Sequence, residues 1–188
     1  MRTGRFFFVV GASGVGKDTL IAGAMQALGP TGRYIQARRV ITRPEGPGEN
    51  HEPVSDAEFD AREAAGGFLL AWEAHGQRYG LPATLRDRLA AGVNVIVNGS
   101  RAALPLLVGR VPNLVVVEVT APSAALRDRI IGRGRESAAQ ADARLARNVA
   151  PFPAGLHVIT VRNDATPAEG VARLVAALEA VAAPVASL

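Results

Sequence analysis

The chain has no cysteine, which excludes a disulfide framework and any thiolate-ligated metal. Histidine is scarce as well. His51, His75 and His157 stand far apart, without the close spacing of a metal site. No apolar run approaches the ~18 residues of a membrane span, and no charged-then-apolar leader with a cleavage site precedes the first apolar run at Phe6. A cytoplasmic location is the expectation. Aromatic residues make up 5% of the chain and are not interleaved with its arginines, so the net charge of +4 does not compose a stacking surface for nucleic acid. Small polyanions suit scattered arginines better, and neither nucleic acid nor membrane is expected as a partner. No Ser-His-Asp set and no paired carboxylates stand out, which is consistent with chemistry that needs no general base.

The last scarcity points to a site. Lysine and arginine together number 21, yet Lys17 is the one lysine. It lies in the stretch FFFVVGASGVGKDT, Phe6 to Thr19: an apolar β-type run, a glycine-punctuated loop, then a helical pattern. This is a phosphate-binding loop in the strand, loop, helix setting that it requires. Gly11, Gly14 and Gly16 give the backbone freedom to turn successive N–H groups inward around an anion, with Ala12, Ser13 and Val15 between them. The helix start adds its positive dipole end. A compact ammonium on a flexible stem reaches β- and γ-phosphate oxygens in a way that arginine's planar fork does not. The pattern usually continues with Ser or Thr, but here Asp18 follows Lys17 and Thr19 comes next. Asp18 has two readings. It complements the helix dipole, or, since a bare carboxylate beside polyphosphate needs a cation between them, it ligates Mg²⁺ together with Thr19.

With 188 residues the chain is about one domain long. Apolar β-type runs at 6–10, 34–42, 93–97, 114–120 and 157–161 alternate with helical patterns at 19–28, 82–91, from 100, 123–131 and 167–183. That alternation predicts a parallel, five-stranded sheet covered by helices on both faces, an α/β fold. Between the second and third of these strands lies a segment of different character. Glu45 to Asn50 reads as a loop, Ser55-Asp56-Ala57-Glu58 as a capping box, and 68–73 with 78–81 as short strands about a turn at His75-Gly76. Trp72 belongs to the core of this inserted lobe. A glycine-hinged segment carrying Arg129, Arg133, Arg135, Arg144 and Arg147 reads as a lid that closes over phosphates.

With these parts in place the chain resembles the guanylate-kinase-like branch of the P-loop nucleoside monophosphate kinases. The resemblance is carried by the loop at 11–19, T-R-P at 42–44, V-S-x-x-E-F at 54–59, G-x-x-Y-G at 76–80 and R-x-x-x-R-G-R-E at 129–136. It implies a P-loop kinase with a core (1–37, 82–128 and 149–188), a substrate lobe (38–81) and a lid (129–148), using ATP and Mg²⁺. Within that branch the G-K-D loop is similar to that of the ribose 1,5-bisphosphate phosphokinases. Where guanylate kinases hold an acid for the guanine edge this chain has Leu70 and Ala71, Arg39 replaces a serine, and Asn98 replaces an acid at a strand end.

The resemblance implies that Lys17, Arg133 and Arg144 neutralise the transferring phosphoryl group. It places ATP on the loop and on Arg129, Asn163 and Asp164, the last two also reading as a plain strand-exit turn. It places the acceptor on Arg38, Arg39, Arg43, His51 and Tyr79. A sugar bisphosphate needs two phosphate clamps and no base-reading acceptor, which suits this set better than a nucleoside monophosphate does. The expected partners are thus ATP and a sugar bisphosphate, and a homodimer is compatible with this reading. A guanylate kinase and a non-catalytic binding module are the alternatives.

Overall fold

A computed structural model describes residues 3–12, 14–46, 49–74, 76–123, 126 and 151–182. The strands are β1 (Phe6–Gly11), β2 (Tyr34–Gln36), β3 (Arg39–Ile41), β4 (His51–Pro53), β5 (Phe68–Ala74), β6 (Gln77–Pro82), β7 (Asn94–Asn98), β8 (Leu114–Thr120) and β9 (His157–Arg162). The helices are α1 (Lys17–Leu28), α2 (Asp56–Ala64), α3 (Leu85–Ala90), α4 (Leu104–Leu107) and α5 (Pro167–Ala182). Among the described residues no helix is long and apolar enough to cross a membrane.

Five strands form an all-parallel sheet in the order β2-β7-β1-β8-β9, as the alternating pattern predicts. Its central strands are apolar on both faces because both faces are covered. Phe7, Val9, Ile96, Val115 and Val117 pack with Leu20, Ile21, Ala24 and Leu28 of α1 and with Leu174 and Leu178 of α5. The alternate residues Phe6, Phe8, Val95, Val97 and Val116 pack on the opposite face with Leu85 and Leu89 of α3 and Leu104 and Leu107 of α4. Gly23 lets α1 and α5 approach closely, since a Cβ there would meet Val171 Cγ2 at 2.4 Å.

The second sheet is four-stranded, in the order β4-β3-β6-β5. Strands β3 and β4 are parallel, while β6 runs antiparallel to both β3 and β5. It is not a separate body. Leu69, Leu70, Trp72 and Leu81 belong to the same buried cluster as Phe6 and Phe8 of the core sheet. Helix α2 opens with the capping box that its sequence announces, Ser55 Oγ accepting from Glu58 N and the Glu58 carboxylate accepting from Ser55 N.

Two local expectations are corrected. The apolar run 34–42 is not one strand: β2 pairs with β7 for three residues, Ala37 N makes a last bond to Ile96 O (2.8 Å), and the chain then crosses to the second sheet as β3. Strand β7 runs on through Val97 and Asn98, so β2 leaves its partner before that edge ends, and Val40 and Ile41 pair with Gly80 and Tyr79 of β6 instead. The second correction concerns the helix expected from Pro82, which starts at Leu85 because β6 runs through Pro82 to pair with Phe68.

Candidate functional site

In a parallel sheet, ligands bind at the carboxyl ends of the strands. Here β1 ends at Gly11, β7 at Asn98, β8 at Thr120 and β9 at Arg162, and the phosphate-binding loop leaves β1 directly for α1. Gly11 lies against β8 so closely that a Cβ would meet Val119 O at 2.4 Å. Gly16, with φ +94°, sits against Asn163, where a Cβ would lie 2.7 Å from Nδ2. Both positions exclude a side chain for reasons of contact as well as conformation.

Lys17 begins α1, and its Nζ donates to Gly11 O (2.8 Å) and Ala12 O (3.3 Å). The ammonium is thereby folded back across the loop, where an anion cradled by the loop would meet it. Asp18, exposed in the first turn, accepts a 2.5 Å hydrogen bond from Asn98 Nδ2 at the end of β7. Thr19 follows on the same turn, exposed. Ser13 lies outside the described residues, as do Arg129, Arg133 and Arg144 of the expected lid.

A cavity of about 110 Å³ opens beside Asp18 and Asn98, lined also by Ala22, Gln36, Ala37, Arg39 and Asn50. It joins the phosphate loop to the second sheet. Arg39 is half-buried and has no hydrogen-bond or ion-pair partner among the described residues. Burial pushes its guanidinium down from the usual arginine range, and the negative charge of Asp18 is the largest influence opposing that shift. An unpaired, half-buried guanidinium over a polar cavity is costly unless a ligand uses it.

Arg38, its neighbour, does not line this cavity. Its Nη2 donates to His51 O (3.0 Å), tying the entry of β3 to β4. Arg43 grips Glu49 with both arms, Nη1 to Oε2 at 2.7 Å and Nη2 to Oε1 at 2.9 Å, and that pairing holds Arg43 above the usual arginine range. His51 is fully buried, with Nε2 facing Arg43 O at 3.2 Å. A carbonyl only accepts, so Nε2 carries the proton. Tyr79 stacks on Trp72 with ring centroids 5.3 Å apart and also influences Arg43. Trp72 is 7% exposed and belongs to the packed interior.

The two residues expected near adenine are both engaged. Asn163 is buried and donates to Val15 O at 2.7 Å, so it braces the phosphate loop from β9. The Asp164 carboxylate accepts from Arg173 Nη1 (2.7 Å) and pairs with Arg162 Nη2 (2.8 Å), and Arg173 foremost holds it below the usual carboxylate range. Sequence reasoning passed over Gln36, Asn50 and Glu49. The run Glu49-Asn50-His51 between T-R-P and V-S carries three polar groups in succession, a signal that the loop reading set aside.

Among the described residues no group of three or more His, Asp or Glu could hold a metal unaided. The candidate donors at the loop nonetheless offer oxygen, the Asp18 carboxylate beside Asn98 and the Thr19 hydroxyl on the same turn of α1. That set fits Mg²⁺ brought in by a nucleotide, which takes most of its ligands from phosphate and water.

No family model matches the chain. A ribose 1,5-bisphosphate phosphokinase of Pseudofrankia inefficax is 44% identical over 187 residues, covering 98% of this chain and 96% of the relative. The chain belongs to the ribose 1,5-bisphosphate phosphokinase family. A member from Acidiphilium cryptum is 48% identical over 166 residues, covering 88% of this chain and 87% of its own length. A bifunctional ribose 1,5-bisphosphokinase-thymidine phosphorylase of Azorhizobium caulinodans is 61% identical over 181 residues, and the match spans 96% of this chain but 26% of that protein. Among solved structures, a guanylate kinase of Anaplasma phagocytophilum superposes with a TM-score of 0.65 at 19% identity, covering 98% of this chain and 89% of its own. That likeness establishes the P-loop kinase fold for this family member.

Proposed function

We propose that the protein transfers the γ-phosphoryl group of ATP to the 1-phosphate of ribose 1,5-bisphosphate, giving 5-phosphoribosyl 1-diphosphate and ADP. The observation that carries this reading is the cavity between the loop and the second sheet, with the unpaired Arg39 on one wall and Asp18 on another. The full-length relatives that bear the name of this activity support it.

The acceptor is a phosphate oxygen, already anionic near neutral pH, so no general base is required. As that oxygen bonds to the γ-phosphorus, the bond to the β-bridging oxygen breaks and the electron pair leaves with ADP. Catalysis is then alignment and charge neutralisation. Lys17 supplies a positive charge from the loop, and the loop's N–H groups hold the β-phosphate. Asp18, with Thr19 and Asn98, would hold Mg²⁺, which spreads the developing charge. Arg39 and Arg43 hold the acceptor's phosphates, while Arg129, Arg133 and Arg144 close over the nucleotide from the lid. In this division, 38–81 is the acceptor lobe and the rest, apart from the lid at 129–148, is the ATP-binding core.

Leu70 is buried among apolar side chains and offers no acceptor for a guanine edge. A guanine donor left unpaired costs about 1–3 kcal/mol, so GMP should be a poor acceptor that is not wholly excluded. The test is kcat/KM for ribose 1,5-bisphosphate and GMP, measured side by side on purified protein. The sugar bisphosphate should be preferred by at least about tenfold, the equivalent of 1.4 kcal/mol. Equal efficiencies would return the assignment to guanylate kinase.

A further inference from the structure

Arg43 is expected to hold an acceptor phosphate, yet in this structure its guanidinium is filled by the chain itself. Glu49 presents its carboxylate to both arms of the fork at 2.7 and 2.9 Å, and Oε2 also accepts from Gly46 N at 3.1 Å. His51 Nδ1 lies 3.5 Å from the same oxygen, buried, and has no hydrogen-bond partner among the described residues. The cradle is thus built for an anion and is incompletely satisfied by the one it holds. A planar guanidinium fork takes carboxylate and phosphate in the same bidentate manner. Asn50, the residue after Glu49, lines the cavity with Arg39, so the cradle adjoins the proposed acceptor site.

We propose that Glu49 is a built-in competitor for the acceptor's phosphate at Arg43, and thereby a residue that selects ligands carrying two phosphates. This rests on Arg43 being an acceptor contact. A tethered carboxylate competes at an effective concentration in the millimolar range, whatever the ligand concentration. A ligand with one phosphate meets that competition in full at Arg43 and is left with Arg39 alone. A bisphosphate already anchored through its other phosphate at Arg39 brings a comparable effective concentration of its own, and displaces Glu49 into solvent. The displacement is mild, because the Glu49 side chain is already 36% exposed and that of Arg43 32%. An isolated pair of this exposure is worth little.

The experiment is calorimetric titration of the nucleotide-free protein, as wild type, Glu49→Gln and Arg43→Ala, with inorganic phosphate, ribose 5-phosphate and ribose 1,5-bisphosphate. In Glu49→Gln the two single-phosphate ligands should bind about threefold to fivefold tighter as the tethered competitor is neutralised, with a gain of less than about twofold for the bisphosphate. ATP affinity serves as the control for folding. Unchanged or weaker phosphate binding in Glu49→Gln would overturn the proposal and make Glu49 a support that orients Arg43. If Arg43→Ala also leaves bisphosphate binding intact, the acceptor role of Arg43 falls with it; if Arg43→Ala abolishes that binding, only the competitor is lost.

Discussion

Lys17 holds two carbonyls of its own loop, 2.8 and 3.3 Å away, and in the proposed mechanism its ammonium turns from them to the transferring group. Its charge should count for more in the transition state than in ATP binding. Lys17→Ala should lower kcat by about 10²–10³-fold, the cost of losing one preorganised electrostatic contact, with a much smaller change in the Kd for ATP. Near-normal turnover would remove the loop from the mechanism. Asp18 and Asn98 pose a sharper question. P-loop enzymes place a hydroxyl after the lysine and an acid on the strand that faces it. This chain has the carboxylate on α1 in place of the hydroxyl and an amide on β7 in place of the acid, with a 2.5 Å hydrogen bond between them. Asp18→Asn should therefore raise the Mg²⁺ concentration needed for half-maximal rate and weaken Mn²⁺ binding to the ATP complex. Asp18→Ser combined with Asn98→Asp should recover more of that binding than Asp18→Ser alone. A Mg²⁺ titration unmoved by Asp18→Asn would leave Asp18 as a dipole partner of α1 alone.

At the scale of elements, the parts legible in the sequence are those whose determinants lie close together. Strand β1, the buried face of α1, the Ser55–Glu58 capping box and the cap before α5, where Thr166 Oγ1 accepts from Glu169 N, follow from residues within a few positions of each other. The crossing at Ala37 was not legible, because it depends on partners far along the chain, β7 for Gln36 and β6 for Val40, some sixty and forty residues later. Nor was the role of Asn163. Its position after a strand suits a turn or a nucleotide contact, and only the fold reveals that Val15 O, 148 residues away in sequence, is its partner. The brace is tight on both sides, since a Cβ on Gly170 of α5 would meet Asn163 Oδ1 at 2.6 Å. Removing that donor leaves a loop carbonyl without it in a buried place. Asn163→Ala should cost about 1–3 kcal/mol, seen as a lower Tm without any nucleotide, together with weaker ATP binding. Weaker ATP binding with an unchanged Tm would instead favour a direct adenine contact.

The whole molecule raises a last question, whether the second sheet can come apart from the first. The proposed site spans both, with Lys17 and Asp18 on the core sheet's loop and helix, and Arg39 and Arg43, its proposed acceptor half, on the other side of the crossing at Ala37. If the sheets melted independently, the acceptor half of the site could be lost while the ATP half survived. Packing argues against this. Leu69, Leu70, Trp72 and Leu81 share one buried cluster with Phe6, Phe8 and Val97, so separating the sheets would expose apolar surface on both sides. Trp72 is the chain's one tryptophan, sits in the second sheet and is 7% exposed, so its fluorescence reports that sheet, while far-ultraviolet circular dichroism is dominated by α1 and α5 of the core. The two thermal transitions should coincide, as in cooperative two-state unfolding. Leu70→Ala, a truncation in the second sheet that costs about 2–5 kcal/mol, should lower both midpoints by the same amount. A Trp72 transition that moves down while the dichroism transition stays would mean that the acceptor half unfolds by itself.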